Sequence, residues 1–179
     1  IKAEQQLPNL MDKEWKEFKI KELFDVSGTV TTHPTELISD GKTPRITTAA
    51  SNNGLESFYR NKATEKGGVL TVDSATIGYV SYQYSDFITT DHVEKISFKG
   101  ERFIPKTIGL FLKTCIDKSK GEKFGYGYKF SQFRINRQII SLPVDKNGEP
   151  DYAYMNKYIL IQQIKEQYKV INYYYSLID

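Results

Sequence analysis

A chain of 179 residues suffices for one well-buried domain with an appendage and is short for two full domains. Hydrophobic residues make up 39% and charged residues 26%, a globular balance, and no apolar run approaches the roughly 20 residues of a membrane-spanning helix. The single cysteine, Cys115, excludes an intrachain disulfide framework and a multi-thiolate metal centre, and a net charge of +3 is too small to identify a partner by itself. The first ten residues, Ile1 to Leu10, lack the basic start and apolar stretch of a secretory signal. A soluble, cytoplasmic protein is the expectation.

In chain order, Trp15 to Val26 reads as a short strand with a helical turn, its apolar positions being Trp15, Phe18, Ile20, Leu23, Phe24 and Val26. The Thr-rich stretch from Gly28 to Gly41, with Pro34, reads as a loop. Arg45 to Thr48 forms a candidate strand before the turn Ser51-Asn52-Asn53-Gly54, where Asn-Gly favours positive φ. Gly68 to Val72 and Ile77 to Tyr84 read as strands joined by a turn at Asp73 to Thr76, with Tyr82 and Tyr84 on one face. Phe87 to Thr90 and Val93 to Phe98 extend the β-rich region. Pro105 suits a helix start, and Ile108, Phe111, Leu112 and Cys115 recur at the spacing of a buried helical face, which makes Cys115 a core residue. Ile139 to Val144 reads as a closing strand, followed by the turn Asp145-Lys146-Asn147-Gly148, which lacks the order of a calcium loop.

Pro150 and Asp151 cap a helix expected to run to Asp179, about 44 Å at about 1.5 Å per residue. Its residues Ile161, Ile164, Tyr168, Ile171, Tyr175 and Ile178 follow spacings of 3, 4, 3, 4 and 3, the rhythm of a coiled-coil seam. Such a stripe either pairs with another helix or lies on its own domain.

Charge is unevenly placed. Residues 101 to 140 carry nine basic against three acidic side chains, whereas residues 1 to 40 carry five against eight. Within the basic stretch Lys118, Lys120, Lys123, Lys129, Arg134 and Arg137 alternate with Phe124, Tyr126, Tyr128 and Phe130. Cations interleaved with rings and glycines fit a nucleic-acid surface, and equally a solvated lysine-rich loop.

Catalytic signatures are missing. A methyltransferase acting on exocyclic amines needs a glycine-rich cofactor loop and an Asn/Asp-Pro-Pro-aromatic loop, and neither occurs. The Glu-x-Lys triplets at Glu14 to Lys16 and Glu17 to Lys19 lie in a charged segment with no strand partner suited to a nuclease metal site. There is no P-loop and no Gly-x-Ser-x-Gly elbow. The two histidines, His33 and His92, are too few and too separated for a metal centre. Asp91 and His92 could seed an enzyme of unrecognised type, although no nucleophile accompanies them.

Several segments taken together resemble the target-recognition domains of type I restriction-modification specificity subunits, which are also used in type IIB and IIG systems. The carriers are Glu17-Phe18-Lys19-Ile20 with Leu23-Phe24, Gly41-Lys42-Thr43-Pro44, Ala49 to Gly54 leading to Tyr59, Gly68-Val69-Leu70-Thr71, and Phe87 with Asp91-His92-Val93. Phe124 to Phe130 leading to Ile139, and Leu142-Pro143 running through Asp151 into a helix, complete the pattern. The resemblance implies a mixed, β-rich α/β recognition domain over residues 1–150 and a spacer or dimerisation helix over 151–179. It implies a non-catalytic subunit that reads one half of a bipartite double-stranded DNA site, while its helix packs against a second helix. Methyltransferase subunits that methylate adenine with S-adenosylmethionine, and a restriction subunit, are the implied partners, with neither cofactor nor metal held by this chain. One recognition domain and one helix, where such subunits have two of each, leaves three readings open: a half-subunit that dimerises, a piece, or one domain of a longer protein.

On this reading the side chains expected to meet DNA are Lys42, Thr43 and Arg45, then Ser51, Asn52 and Asn53. Thr76, Tyr79, Tyr82 and Tyr84 follow, then Lys123, Tyr126, Tyr128, Lys129 and Arg134. Tyr82 and Tyr84 can also be plain cross-strand neighbours, and Ser51 to Gly54 a plain turn.

Overall fold

The structure, a computed structural model, describes residues 9–100 and 102–178. The first eight residues of the expected recognition domain and the last residue of the expected helix lie outside this range. The fold is mixed α/β and rich in strands, with two compact units. One spans Glu17–Ser141; the other comprises the described residues up to Lys16 together with Leu142 onward. The strands β1 (Trp15–Lys19) and β9 (Ile139–Pro143), which pair with each other, carry the chain from one unit to the other. The division into compact units lies at residues 16/17 and 141/142.

In the larger unit, the strands β2 (Phe24–Gly28), β5 (Val69–Asp73), β6 (Val80–Gln83) and β8 (Val93–Phe98) form an antiparallel sheet in the order β2-β8-β5-β6. Every residue of β5 and β6 is buried, so both faces of this sheet are covered and the apolar/polar alternation is blurred. On one face Leu70 stands opposite Tyr82 and Ile96. Helix α2 (Lys106–Lys120) packs against this face, with Gly109 directly against the Tyr82 ring. A side chain larger than hydrogen at Gly109 would overlap that ring.

The other face is polar at β5 and β6. Gln83 Nε2 donates to Thr71 Oγ1 at 2.8 Å, and the Thr71 and Ser81 hydroxyls are 3.0 Å apart. Beside this network Ile46, Val69, Phe87 and Val93 form an apolar cluster that joins the sheet to a second one. In that sheet β3 (Thr43–Ile46) lies between antiparallel β4 (Leu55–Tyr59) and parallel β7 (Ile88–Thr89). A one-turn helix α1 (Ile20–Leu23) lies between β1 and β2, and α3 (Gln132–Arg137) packs on α1 and β2.

Several expected elements are displaced. The strand expected over Arg45 to Thr48 lies at Thr43–Ile46, and the one expected over Ile77 to Tyr84 is only Val80–Gln83, because Gly78 at φ +73° turns the chain before it. Strand β4 and helix α3 were not expected at all. The buried face of α2 consists of Ile108, Gly109, Phe111, Leu112 and Ile116, and Cys115 is half-buried beside it. Burial nonetheless pushes the Cys115 thiol up to about 12, against about 8.5 for a free cysteine. The folded chain should react slowly with a thiol reagent at pH 8 and rapidly once denatured; equal rates would contradict this environment. Since the folded state disfavours the thiolate, stability should fall as pH rises above about 8.5, where the unfolded thiol loses its proton.

The smaller unit is organised by helix α4 (Tyr152–Tyr175), about 36 Å long at about 1.5 Å per residue. Asp151 caps it by accepting from the Tyr154 amide at 2.9 Å and also pairs with Lys13 at 2.7 Å. Tyr154 and Met155 are buried, whereas Ile164, Tyr168, Ile171 and Tyr175 are exposed. Ile178 falls in the turn beyond the helix, which corrects its place in the expected seam. Ile161 is half-buried.

Candidate nucleic-acid interface

One end of the four-stranded sheet gathers many of the expected contact residues. The β5–β6 loop there is shaped by Asp73, whose carboxylate accepts from the Ala75 and Thr76 amides at 2.7 and 3.0 Å and from the Thr76 hydroxyl. The Lys120 ammonium, at the end of α2, donates to the Ile77 carbonyl at 3.3 Å, and Lys113 lies over the Tyr79 ring. Gly78 abuts Phe130, and a Cβ at Gly78 would stand 2.7 Å from its ring. Thr76 therefore serves the loop's shape, and Tyr79 is half-buried.

Phe130 starts a ladder of rings. It is fully buried, it stacks on Phe124 with centroids 4.3 Å apart, and Phe124 stacks on Tyr128 at 5.7 Å. The Arg134 guanidinium then lies 3.8 Å over Tyr128 and donates from Nη1 to the Lys129 carbonyl at 2.7 Å. Gly125 and Tyr128 exchange backbone hydrogen bonds of 3.2 and 3.0 Å, closing a tight hairpin with Tyr126 at its tip. The Tyr126 ring is 86% exposed, so a ring with no packing role is held out on a braced hairpin. Lys123 is exposed beside it, and Lys129 is half-buried.

Asp73→Ala should cost about 1–3 kcal/mol, because three donors lose a buried acceptor, and should loosen residues 74–79 selectively. Hydrogen exchange of those amides tests it; unchanged exchange would mean that the loop holds its shape without Asp73.

The remaining candidates lie elsewhere in this unit. Tyr82 is a core residue, only 2% exposed, and its hydroxyl donates to the Ile104 carbonyl at 2.6 Å. Burial, and then the neighbouring Tyr84, raise its ionisation above the usual tyrosine range. It has no edge to offer a duplex. Tyr84 follows β6 at the end opposite Tyr79 and is exposed. Arg45 is 5% exposed on β3 and bound to Glu56 Oε2 at 2.7 Å, so it too is structural, while Lys42 before it is exposed and Thr43 half-buried. Asn53 clamps its turn to β6: its amide donates to the Tyr82 carbonyl at 2.8 Å and accepts from the Tyr82 amide at 3.3 Å. That leaves Ser51 and Asn52 as the exposed part of the turn.

Asp91 and His92 form an exposed pair 3.6 Å apart. His92 sits at φ 59°, and its carbonyl accepts from the amide and hydroxyl of Ser74 at 2.8 and 3.0 Å, bracing the β5–β6 loop. Among the described residues no group of three or more histidine, cysteine or acidic side chains is placed to hold a metal. No described helix is long and apolar enough to cross a membrane.

The sequence placed Arg137 in the basic stretch but not among the expected contacts, and Phe133 in neither. Both lie on α3 and line, with Lys123, Phe124, Tyr128 and Arg134, a groove of about 470 Å³. The i, i+3 spacing of Arg134 and Arg137 was the available signal, but Ile135 alone is buried in α3, so no apolar period marked the segment as helical.

Residues 12–173 match the type I restriction modification DNA specificity domain. Over 163 residues, 89% of the chain, it is 32% identical to the specificity subunit S.BcgI of a type II restriction enzyme from Heyndrickxia coagulans. It spans 46% of that protein, about half its length. Among solved structures it resembles the S subunit of a type I restriction-modification system from M. genitalium, with a TM-score of 0.58 at 14% identity over 96% of this chain and 45% of that one. It also resembles the HsdS subunit from Thermoanaerobacter tengcongensis, with a TM-score of 0.56 at 12% identity over 86% and 38% of the two chains. Matched over residues 12–173 and 32% identical to a specificity subunit, the chain belongs to the type I restriction modification DNA specificity domain family.

Proposed function

We propose that this domain reads one half of a bipartite DNA site and directs partner subunits that methylate adenine and restrict unmethylated DNA. The observation that carries the reading is the specificity-domain match across residues 12–173. The braced loop end of the larger unit supplies a physical basis: Tyr126, Lys123, Lys129 and the exposed rings stand on supports that are themselves packed. Side chains held this way can meet base edges and phosphates with little loss of conformational freedom. The chain itself holds no cofactor in this reading, and S-adenosylmethionine belongs to the methyltransferase subunit. Helix α4 acts as a spacer, pairing through Ile161, Ile164, Tyr168, Ile171 and Tyr175 with a second such helix, either from another copy or from elsewhere in a longer polypeptide.

Selection of duplexes from a randomised library by the full chain tests the reading. An enriched, asymmetric short motif is the expected result. Retention of all sequences alike, or of none, would contradict it.

A second reading, favoured by the 32% identity to a type II specificity subunit, places the domain in a type IIB or IIG enzyme. Methyltransferase motifs on the same natural polypeptide would establish the single-chain form, and a separate methyltransferase gene beside it the subunit form.

A further inference from the structure

We propose that the groove between the 124–128 hairpin and α3 seats the sugar-phosphate backbone of one DNA strand, with Arg137 as its phosphate contact and Arg134 as a positioning residue that holds its wall. The inference rests on the DNA-binding reading above and goes beyond it by giving the two arginines different tasks.

The groove is walled by three cations, Lys123, Arg134 and Arg137, and three rings, Phe124, Tyr128 and Phe133. No carboxylate lines it. None of the three cations forms an ion pair with a described residue, whereas Lys13, Lys66, Lys95, Lys99 and Lys113 in the same chain are all paired. Unneutralised cations in a concavity with apolar walls focus a positive potential, which selects an anionic occupant. Arg134 and Arg137 stand one helical turn apart on α3, so their heads face the same side. A backbone phosphate suits the uncommitted head of Arg137, and the ring edges beside it give the sugars an apolar wall.

The two arginines are not equivalent. Arg134 is half-buried, with one face on Tyr128 and Nη1 committed to the Lys129 carbonyl. It thereby fixes the end of the ring ladder and the path of the hairpin. Arg137 is exposed, its guanidinium carbon 5.0 Å from the centre of the Phe133 ring, and its guanidinium makes no hydrogen bond or ion pair to a described residue. Its planar fork is free to grip a phosphate through two parallel hydrogen bonds while the ring limits where the fork can swing.

Binding of the full chain to labelled duplexes, measured against salt concentration, separates these roles. Arg137→Ala should weaken binding alike on all sequences and reduce the slope of log affinity against log salt by about one unit, while Arg137→Lys keeps the slope. Arg134→Ala should remove near-ultraviolet dichroism of the stacked Tyr128 and speed tryptic cleavage after Lys123 and Lys129, with no rescue by Arg134→Lys. An unchanged salt slope in Arg137→Ala would overturn the phosphate assignment, and unchanged dichroism and cleavage in Arg134→Ala the positioning role. If a polyglutamate peptide bound as tightly as a duplex of equal charge and lost that binding in Arg137→Ala, the groove would belong to a protein partner. A native chain that retains no duplex would strike instead at the DNA-binding reading itself.

Discussion

Replacing Phe130 with alanine is expected to lower the unfolding free energy by about 3–5 kcal/mol, the usual cost of emptying a large buried aromatic site. Phe130 is fully buried, stacks on Phe124 and fills the space left open by Gly78. It therefore joins two loops that the backbone otherwise leaves independent. Its loss should release the Phe124, Tyr128 and Arg134 stack and lower DNA affinity along with stability. Denaturant unfolding measures the first effect, and duplex binding at a temperature where the variant is still folded measures the second. Phe130→Leu, which leaves a smaller cavity, should fall between. A variant with native stability would show that the ladder is anchored elsewhere.

A double substitution on α4, Ile164→Asn with Ile171→Asn, is expected to abolish helix pairing. Both side chains are exposed within this chain, and covering an isoleucine fully contributes about 1.5–3 kcal/mol. Removing two from a paired seam should weaken association by at least about 100-fold, since every 1.4 kcal/mol is tenfold. Sedimentation velocity of the full chain should show concentration-dependent association that the double variant lacks. Identical profiles for the two chains would count against pairing through this stripe. The larger unit, whose core lies in its own strands and α2, should keep its unfolding transition.

What the sequence disclosed follows from how each element is stabilised. Helix α2 was legible because Ile108, Phe111 and Leu112 recur at its own period, and β5 and β8 because β-branched and aromatic residues cluster there between turn residues. The cap at Asp151 was legible because a single carboxylate satisfies the first turn of α4. Strand β4 was not, since Glu56, Ser57 and Phe58 are all exposed and no apolar face marks it. Within the candidate interface the basic, ring-bearing segment was visible, but the distribution of tasks inside it was not. Arg45 and Asn53 carry the residue types that read DNA, yet the structure commits one to Glu56 and the other to the Tyr82 backbone. Tyr82 looks like its neighbour Tyr84 in sequence, and only the approach of Gly109 on α2 shows it to be core. Such commitments depend on contacts distant along the chain, which a local pattern cannot report.

Photocrosslinking of the full chain to a selected duplex carrying iododeoxyuridine, with the crosslinked peptides identified by mass spectrometry, maps the surface on which DNA lies. Crosslinks should concentrate in residues 73–79 and 123–137, with Tyr126 prominent. Crosslinks confined to α4, or to the three-stranded sheet, would place the duplex on another surface and contradict the reading.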